Sequence, residues 1–215
     1  MALVILTGGA RSGKSALAQE LARVRTLDGA QVVVAVFAVV GEDEEIASRV
    51  ERHRKDRPAD ISVIEAVDSH SWLNAVAESD LLIVDCMGTL VTLVLNEVLQ
   101  KNSPETDVSA AENLDVPQAA EGQWATLPPD LRDRVEVRVD TLVHSILARP
   151  GDTIVVTNQV GDGVVPAFAS GRLFRDVLGR ANRRLVAGAD AAYLVVCGRA
   201  LDITTLPKTV RWPED

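Results

Sequence analysis

Short apolar runs recur along this chain, and stretches with a helical apolar stripe lie between most of them. Runs at 2–7, 31–38, 61–65, 81–86, 153–157 and 192–197 predict β-strands. Helical spacing predicts helices at about 15–25, 43–57, 69–78, 88–100, 131–148 and 171–187. Such alternation predicts an α/β fold, a mostly parallel sheet with helices on both faces. No internal repeat interrupts it. One stretch departs from the pattern: residues 102–131 hold six acids, no Lys or Arg, and Pro104, Pro117, Pro128 and Pro129. It is expected to be an acidic surface insertion or a partly disordered loop, with Trp124 as an anchor, in a single domain spanning 1–215.

The junction of the first strand and the first helix carries the clearest chemistry. Gly8, Gly9, Ala10, Arg11, Ser12, Gly13, Lys14 and Ser15 fit G-x-x-x-x-G-K-[ST] in full. Residues 2–6 are an apolar run, and Ala18, Leu21 and Ala22 continue as a helical stripe, so the motif has the strand–loop–helix setting that phosphate binding requires. Glycines at 8, 9 and 13 are expected to let backbone N–H groups turn toward an anion, with the positive end of the helix behind them. Lys14 can reach β- and γ-phosphates, and the Ser15 hydroxyl can hold Mg²⁺. The prediction is a P-loop nucleoside-triphosphate site.

Charge narrows the partners. The formal net charge of −9 argues against nucleic acid or an anionic membrane as the main partner. The longest apolar run, Val32–Val40, is too short to cross a bilayer. No basic residue precedes the first apolar run, which leads straight into the phosphate loop, so a signal peptide is not expected and a cytoplasmic location is. Cys86 and Cys197 lack metal-type spacing and are expected to be buried free thiols.

Three further stretches bear on function. The strand at 81–86 ends in Asp85, where a carboxylate can enter the Mg²⁺ shell of a P-loop site or cap the next helix. In the helix expected at 43–57, His53 shares the inward face with Ile46 and Val50, among Arg49, Arg52, Arg54 and Arg57. That cationic setting suits a phosphate and favours a neutral, nucleophilic imidazole; a packed histidine is the other reading. His70 and His144 lack such surroundings and are expected to be structural. Last, the strand at 153–157 runs into a glycine-punctuated loop, and the helix after it carries Arg172, Arg175, Arg180 and Arg183. Ligands of open parallel sheets bind at the carboxyl ends of the strands, so this block belongs near the site or presents a solvated basic face.

TGGARSGKS, RVERHRKDRP with Glu65 soon after, LLIVDC, VTNQVGDGVVP and RLFRDVLGRANRRLVAGADAAYLVV occur in this order. Together they resemble the bifunctional adenosylcobinamide kinase / adenosylcobinamide-phosphate guanylyltransferase family of cobalamin biosynthesis. The resemblance implies a P-loop fold with a recombinase-type core. It implies phosphorylation of adenosylcobinamide by ATP or GTP, then transfer of GMP from GTP to the new phosphate, giving adenosyl-GDP-cobinamide. It puts the guanylylated histidine on His53, nucleotide contacts on Arg54, Glu65 and Asp85, Mg²⁺ at Ser15 and Asp85, and a small ring-like homo-oligomer, expected to be a trimer. The chain departs from the family pattern at Gln159, where Glu is usual, and at Val39 and Ile61. Two other classes stay open, a different P-loop small-molecule kinase without guanylyl transfer and a non-catalytic nucleotide switch.

Overall fold

The computed structural model describes residues 1–26, 29–37, 61–100, 127 and 130–209. Seven strands form one sheet: β1 (Leu3–Gly8), β2 (Val32–Phe37), β3 (Ile61–Ala66), β4 (Leu81–Asp85), β5 (Thr153–Asn158), β6 (Ala191–Val196) and β7 (Arg199–Asp202), in the order β3-β2-β4-β5-β1-β6-β7. All neighbouring pairs are parallel except β6–β7. The helices are α1 (Lys14–Thr26), α2 (Met87–Gln100), α3 (Leu131–Ala148) and α4 (Ala169–Gly188), with a 3₁₀ turn at Ser71–Ala75.

The period of two along each inner strand divides the core into two layers. Val33, Ala35, Leu82, Val84 and Val155 face one side, where α2, α3 and α4 cover them. Val32, Val34, Leu81, Ile83, Ile154 and Val156 face the other side, where α1 sits down closely through Ala18 and Ala22. The expected arrangement, a mostly parallel sheet with helices on both faces, is what the described residues show. Both outer strands are the exposed ones: β3 is half-open and β7 is exposed throughout.

Two elements differ from expectation. Where the spacing predicts a helix over 69–78, the chain makes the short 3₁₀ turn. The Asp68 carboxylate accepts the N–H groups of His70 and Ser71, and the Trp72 indole donates to the Ser69 carbonyl at 3.0 Å. Buried Trp72 also meets Phe37 edge-on, with ring centroids 5.1 Å apart, and this anchor keeps the turn tight. The second difference is β7, which the apolar pattern did not signal. The helix expected at 43–57, Val39, and residues 102–126 of the acidic segment lie outside the described residues. Leu131, at the expected end of that segment, is already the fully buried first residue of α3.

Candidate phosphate-binding site

The loop after β1 is shaped by two glycines and closed by the far end of the chain. Gly8 has φ +155°, and a Cβ there would stand 2.3 Å from the Val195 carbonyl oxygen on β6. Gly13 has φ +99°, and its Cβ would meet the Gly198 Cα at 3.3 Å. Gly198, in the turn between β6 and β7, donates its N–H to the Ser12 carbonyl at 2.8 Å. Arg11 takes the left-handed conformation at φ 57°, which costs a side-chain-bearing residue about 1 kcal/mol and marks the sharp bend of the loop. Gly9 corrects an expectation. Its φ is not positive, and a Cβ there would meet nothing within 4 Å, so this conformation does not require a glycine.

Lys14 lies folded against the loop it follows. Its ammonium donates to the carbonyls of Gly8 at 3.0 Å and Gly9 at 2.6 Å, with the Ser12 hydroxyl at 3.4 Å. Only 6% of the residue is exposed. Burial pushes its pKa down, while Cys86 and Asp85 nearby pull it back up. Ser15 is the next residue of the chain, and its hydroxyl reaches Oδ1 of Asp85 at 3.2 Å. The sheet order explains that meeting. β1 and β4 are separated only by β5, so the start of α1 and the end of β4 face each other across the end of β5.

The end of β5 is fixed from two sides. Gln159 donates its N–H to the Gly8 carbonyl at 3.0 Å, which joins β5 to the phosphate loop. Beneath it, Asn182 of α4 accepts from the Thr157 hydroxyl at 2.6 Å and donates to the Asn158 carbonyl at 2.9 Å. Asn182 and Thr157 are both buried. Sequence reasoning missed this pair. Its signal is a polar residue on the apolar stripe formed by Leu178, Ala181 and Leu185.

A family profile described as cobinamide kinase / cobinamide phosphate guanyltransferase matches residues 4–203. The chain belongs to that family. It is 32% identical to the bifunctional adenosylcobalamin biosynthesis protein CobU of Salmonella typhimurium, over 94% of this chain and 99% of that one. It is 30% identical to CobU of Escherichia coli K12, over 94% and 99%, and 27% identical to CobP of Pseudomonas aeruginosa, over 94% and 98%.

Of the residues that the resemblance to this kinase / guanyltransferase family picks out, Lys14, Ser15 and Asp85 come together at one place. Glu65 stands apart at the carboxyl end of outer strand β3, with β2 between it and β4. His53 and Arg54 lie outside the described residues. Two arginines of α4 are engaged elsewhere: Arg172 holds the carbonyls of Pro166 and Ala167, while Arg180 pairs with Glu136 at 2.7 Å and Asp140 at 3.2 Å on α3. A cleft of about 690 Å³ lies beside Ser69, His70, Val98 and Arg138, and no residue of the phosphate loop lines it. There His70 is held by the Ser69 hydroxyl and by Arg138, which pairs with Glu97 at 2.6 Å. The cysteines correct another expectation: Cys86 is half-buried and Cys197 is exposed.

Proposed function

We propose that this chain phosphorylates the aminopropanol hydroxyl of adenosylcobinamide with ATP or GTP. It then joins GMP from GTP to that phosphate through a guanylylated His53. The observation that carries this reading is the convergence of Lys14, Ser15 and Asp85, in a chain that its bifunctional relatives match almost from end to end. In the first step the acceptor oxygen attacks the γ-phosphorus, the bond to the β-phosphate oxygen breaks, and the hydroxyl proton passes to solvent. The Lys14 ammonium exchanges the Gly8 and Gly9 carbonyls for phosphate oxygens, and the loop N–H groups hold the phosphates in line.

Ser15 and Asp85 offer hard oxygen donors 3.2 Å apart, a set that suits Mg²⁺ shared with substrate phosphates. When bound, that ion neutralises charge on the β- and γ-oxygens. In the second reaction an imidazole nitrogen of His53 attacks the α-phosphorus of GTP and pyrophosphate leaves, forming a phosphoramidate. An oxygen of cobinamide phosphate then attacks the same phosphorus, and His53 leaves unchanged. Arg54 and Glu65 are assigned to the nucleotide in this scheme, with Gly8 to Ser15 on its phosphates. Among the described residues no helix is long and apolar enough to cross a membrane. The family resemblance supports a cytoplasmic homo-oligomer of three chains.

The test is intact-protein mass spectrometry after incubation with GTP and Mg²⁺. Wild-type protein should gain one GMP, stable in alkali and labile in acid. His53→Ala should gain none, yet still phosphorylate cobinamide. Labelling that survives this substitution would overturn the role of His53.

A further inference from the structure

Beyond the phosphates, the acceptor itself needs a place to rest. We propose that the loop 160–168, at the overhanging start of α4, is the platform on which the corrinoid macrocycle of the acceptor sits. This inference rests on the kinase reading above and adds to it the site of the acceptor.

The loop leaves directly from the phosphate site, since Gln159 is bonded to Gly8. Asn182 is level with the end of β5, and α4 begins at Ala169. At 1.5 Å per residue, the stretch of α4 ahead of Asn182 runs about 20 Å to its summit at this loop.

That summit is apolar and exposed. Val164 is 96% exposed, Val165 60% and Phe168 51%, and Asp162 is the sole charge between 160 and 168. Exposed apolar side chains scattered singly need no account, but three within five residues beside a reaction centre do. Nor is this a slack loop. The Arg172 guanidinium donates to the Pro166 carbonyl at 2.9 Å and the Ala167 carbonyl at 2.6 Å. Behind them, a Cβ on Gly171 would stand 2.9 Å from the Pro166 Cβ. The apolar side chains are therefore presented by a braced backbone, which lowers the entropy lost when something settles on them.

The dimensions suit the acceptor. Its hydroxyl must lie at the γ-phosphate, and the arm that carries it joins the macrocycle through about seven bonds, or about 8 Å when extended. The macrocycle, broad and methyl-bearing on its faces, then lies between the phosphate loop and the summit of α4. A small polar acceptor would have no use for an apolar ledge there.

The experiment compares full-length wild type with the triple variant Val164→Ser, Val165→Ser, Phe168→Ser. The readouts are equilibrium dialysis of cobinamide, KM for cobinamide and for nucleotide, GTP-dependent self-labelling, and size-exclusion chromatography. The expected result is cobinamide binding weakened by about tenfold or more, with nucleotide KM, self-labelling and assembly state unchanged. Val164→Lys alone should act in the same direction. Unchanged cobinamide binding in both variants would overturn the proposal. So would dissociation of the assembly with equal losses for both substrates, because the loop would then be covered by a second copy of the chain. Wild-type protein that labels with GMP but neither binds nor phosphorylates cobinamide would overturn the kinase reading itself, and the platform with it.

Discussion

Deleting one buried amide should show how the end of β5 is held. Asn182→Ala removes two hydrogen bonds, the one accepted from Thr157 at 2.6 Å and the one donated to the Asn158 carbonyl at 2.9 Å. It leaves the fully buried Thr157 hydroxyl and a half-buried carbonyl without those partners. An orphaned buried polar group costs about 1–3 kcal/mol, and the lost packing adds to that, so the expected destabilisation is about 3 kcal/mol. Thr157→Val removes the donor in a nearly isosteric way and should cost about 1–2 kcal/mol. In the double variant the Thr157–Asn182 bond has no surviving partner to be stranded. The double variant's loss should therefore fall short of the sum of the two single losses by about 1 kcal/mol or more. Urea unfolding at fixed protomer concentration measures this. With a slope of about 2 kcal/mol per molar, the Asn182→Ala midpoint should drop by about 1.5 M. Losses that add to within about 0.4 kcal/mol would refute the coupling and leave Asn182 as a mere space-filler.

Four further outcomes are expected. Lys14→Ala should lower phosphorylation of cobinamide by at least about 10²-fold in a steady-state assay, because it removes the charge aimed at the transferring phosphoryl group. Gly8→Ala should lower the melting temperature by about 5–10 °C, since its Cβ meets the Val195 carbonyl at 2.3 Å and neither backbone can yield; an unchanged melt would show the loop able to re-form. Thr7 on β1 has a buried hydroxyl that finds no hydrogen-bond partner among the described residues, so Thr7→Val should raise stability by up to about 1 kcal/mol in urea. The Ser71 hydroxyl, then the N–H groups of Ser71 and His70, hold the Asp68 carboxyl down at about 2, below its ordinary 3.8. A lowered carboxyl pKa lends stability that is complete above the unfolded value and lost as pH falls through the folded one. The melting gap between wild type and Asp68→Ala should thus be constant from pH 7 to 5 and close between pH 4 and 2.

Particular residues show what was legible in the sequence. The eight-residue phosphate loop and Asp85 could be found because their chemistry is written in contiguous letters beside strong apolar runs. Of the six expected strands, β1, β2, β4 and β5 were visible for the same reason: a strand buried on both faces has to be apolar nearly throughout. β7 was not, because Arg199–Asp202 is exposed along its whole length and no burial constrains its side chains. Gly9 looked like Gly8 on paper. Only the approach of β6 distinguishes a glycine that a side chain would break from one that it would not. The Ser12–Gly198 bond and the Thr157–Asn182 pair depend on which strands are neighbours, and strand order is set by packing of the whole chain rather than by any local pattern. Whether Arg180 serves the site or a solvated face could not be read from its spacing; Glu136 and Asp140 of α3 turn out to face it.

The place of β1 in the sheet also dictates when the site can exist. β1 is made long before its two neighbours, β5 and β6, and before Gly198, which closes its loop. Among the described residues, β2 and β3, the strands made next, do not pair with it. At about 5–20 residues per second, the first strand waits roughly ten to thirty seconds for Thr153 and the strand that begins there. Such distant pairings are slow to find and cannot start the folding of a nascent chain. The β2–β3–β4 portion can pair as it is made, but the phosphate loop has to wait for β5, β6 and Gly198. A chain cut short before β6 would carry the whole phosphate-binding motif and lack both the strand that packs on Gly8 and the turn that closes on Ser12.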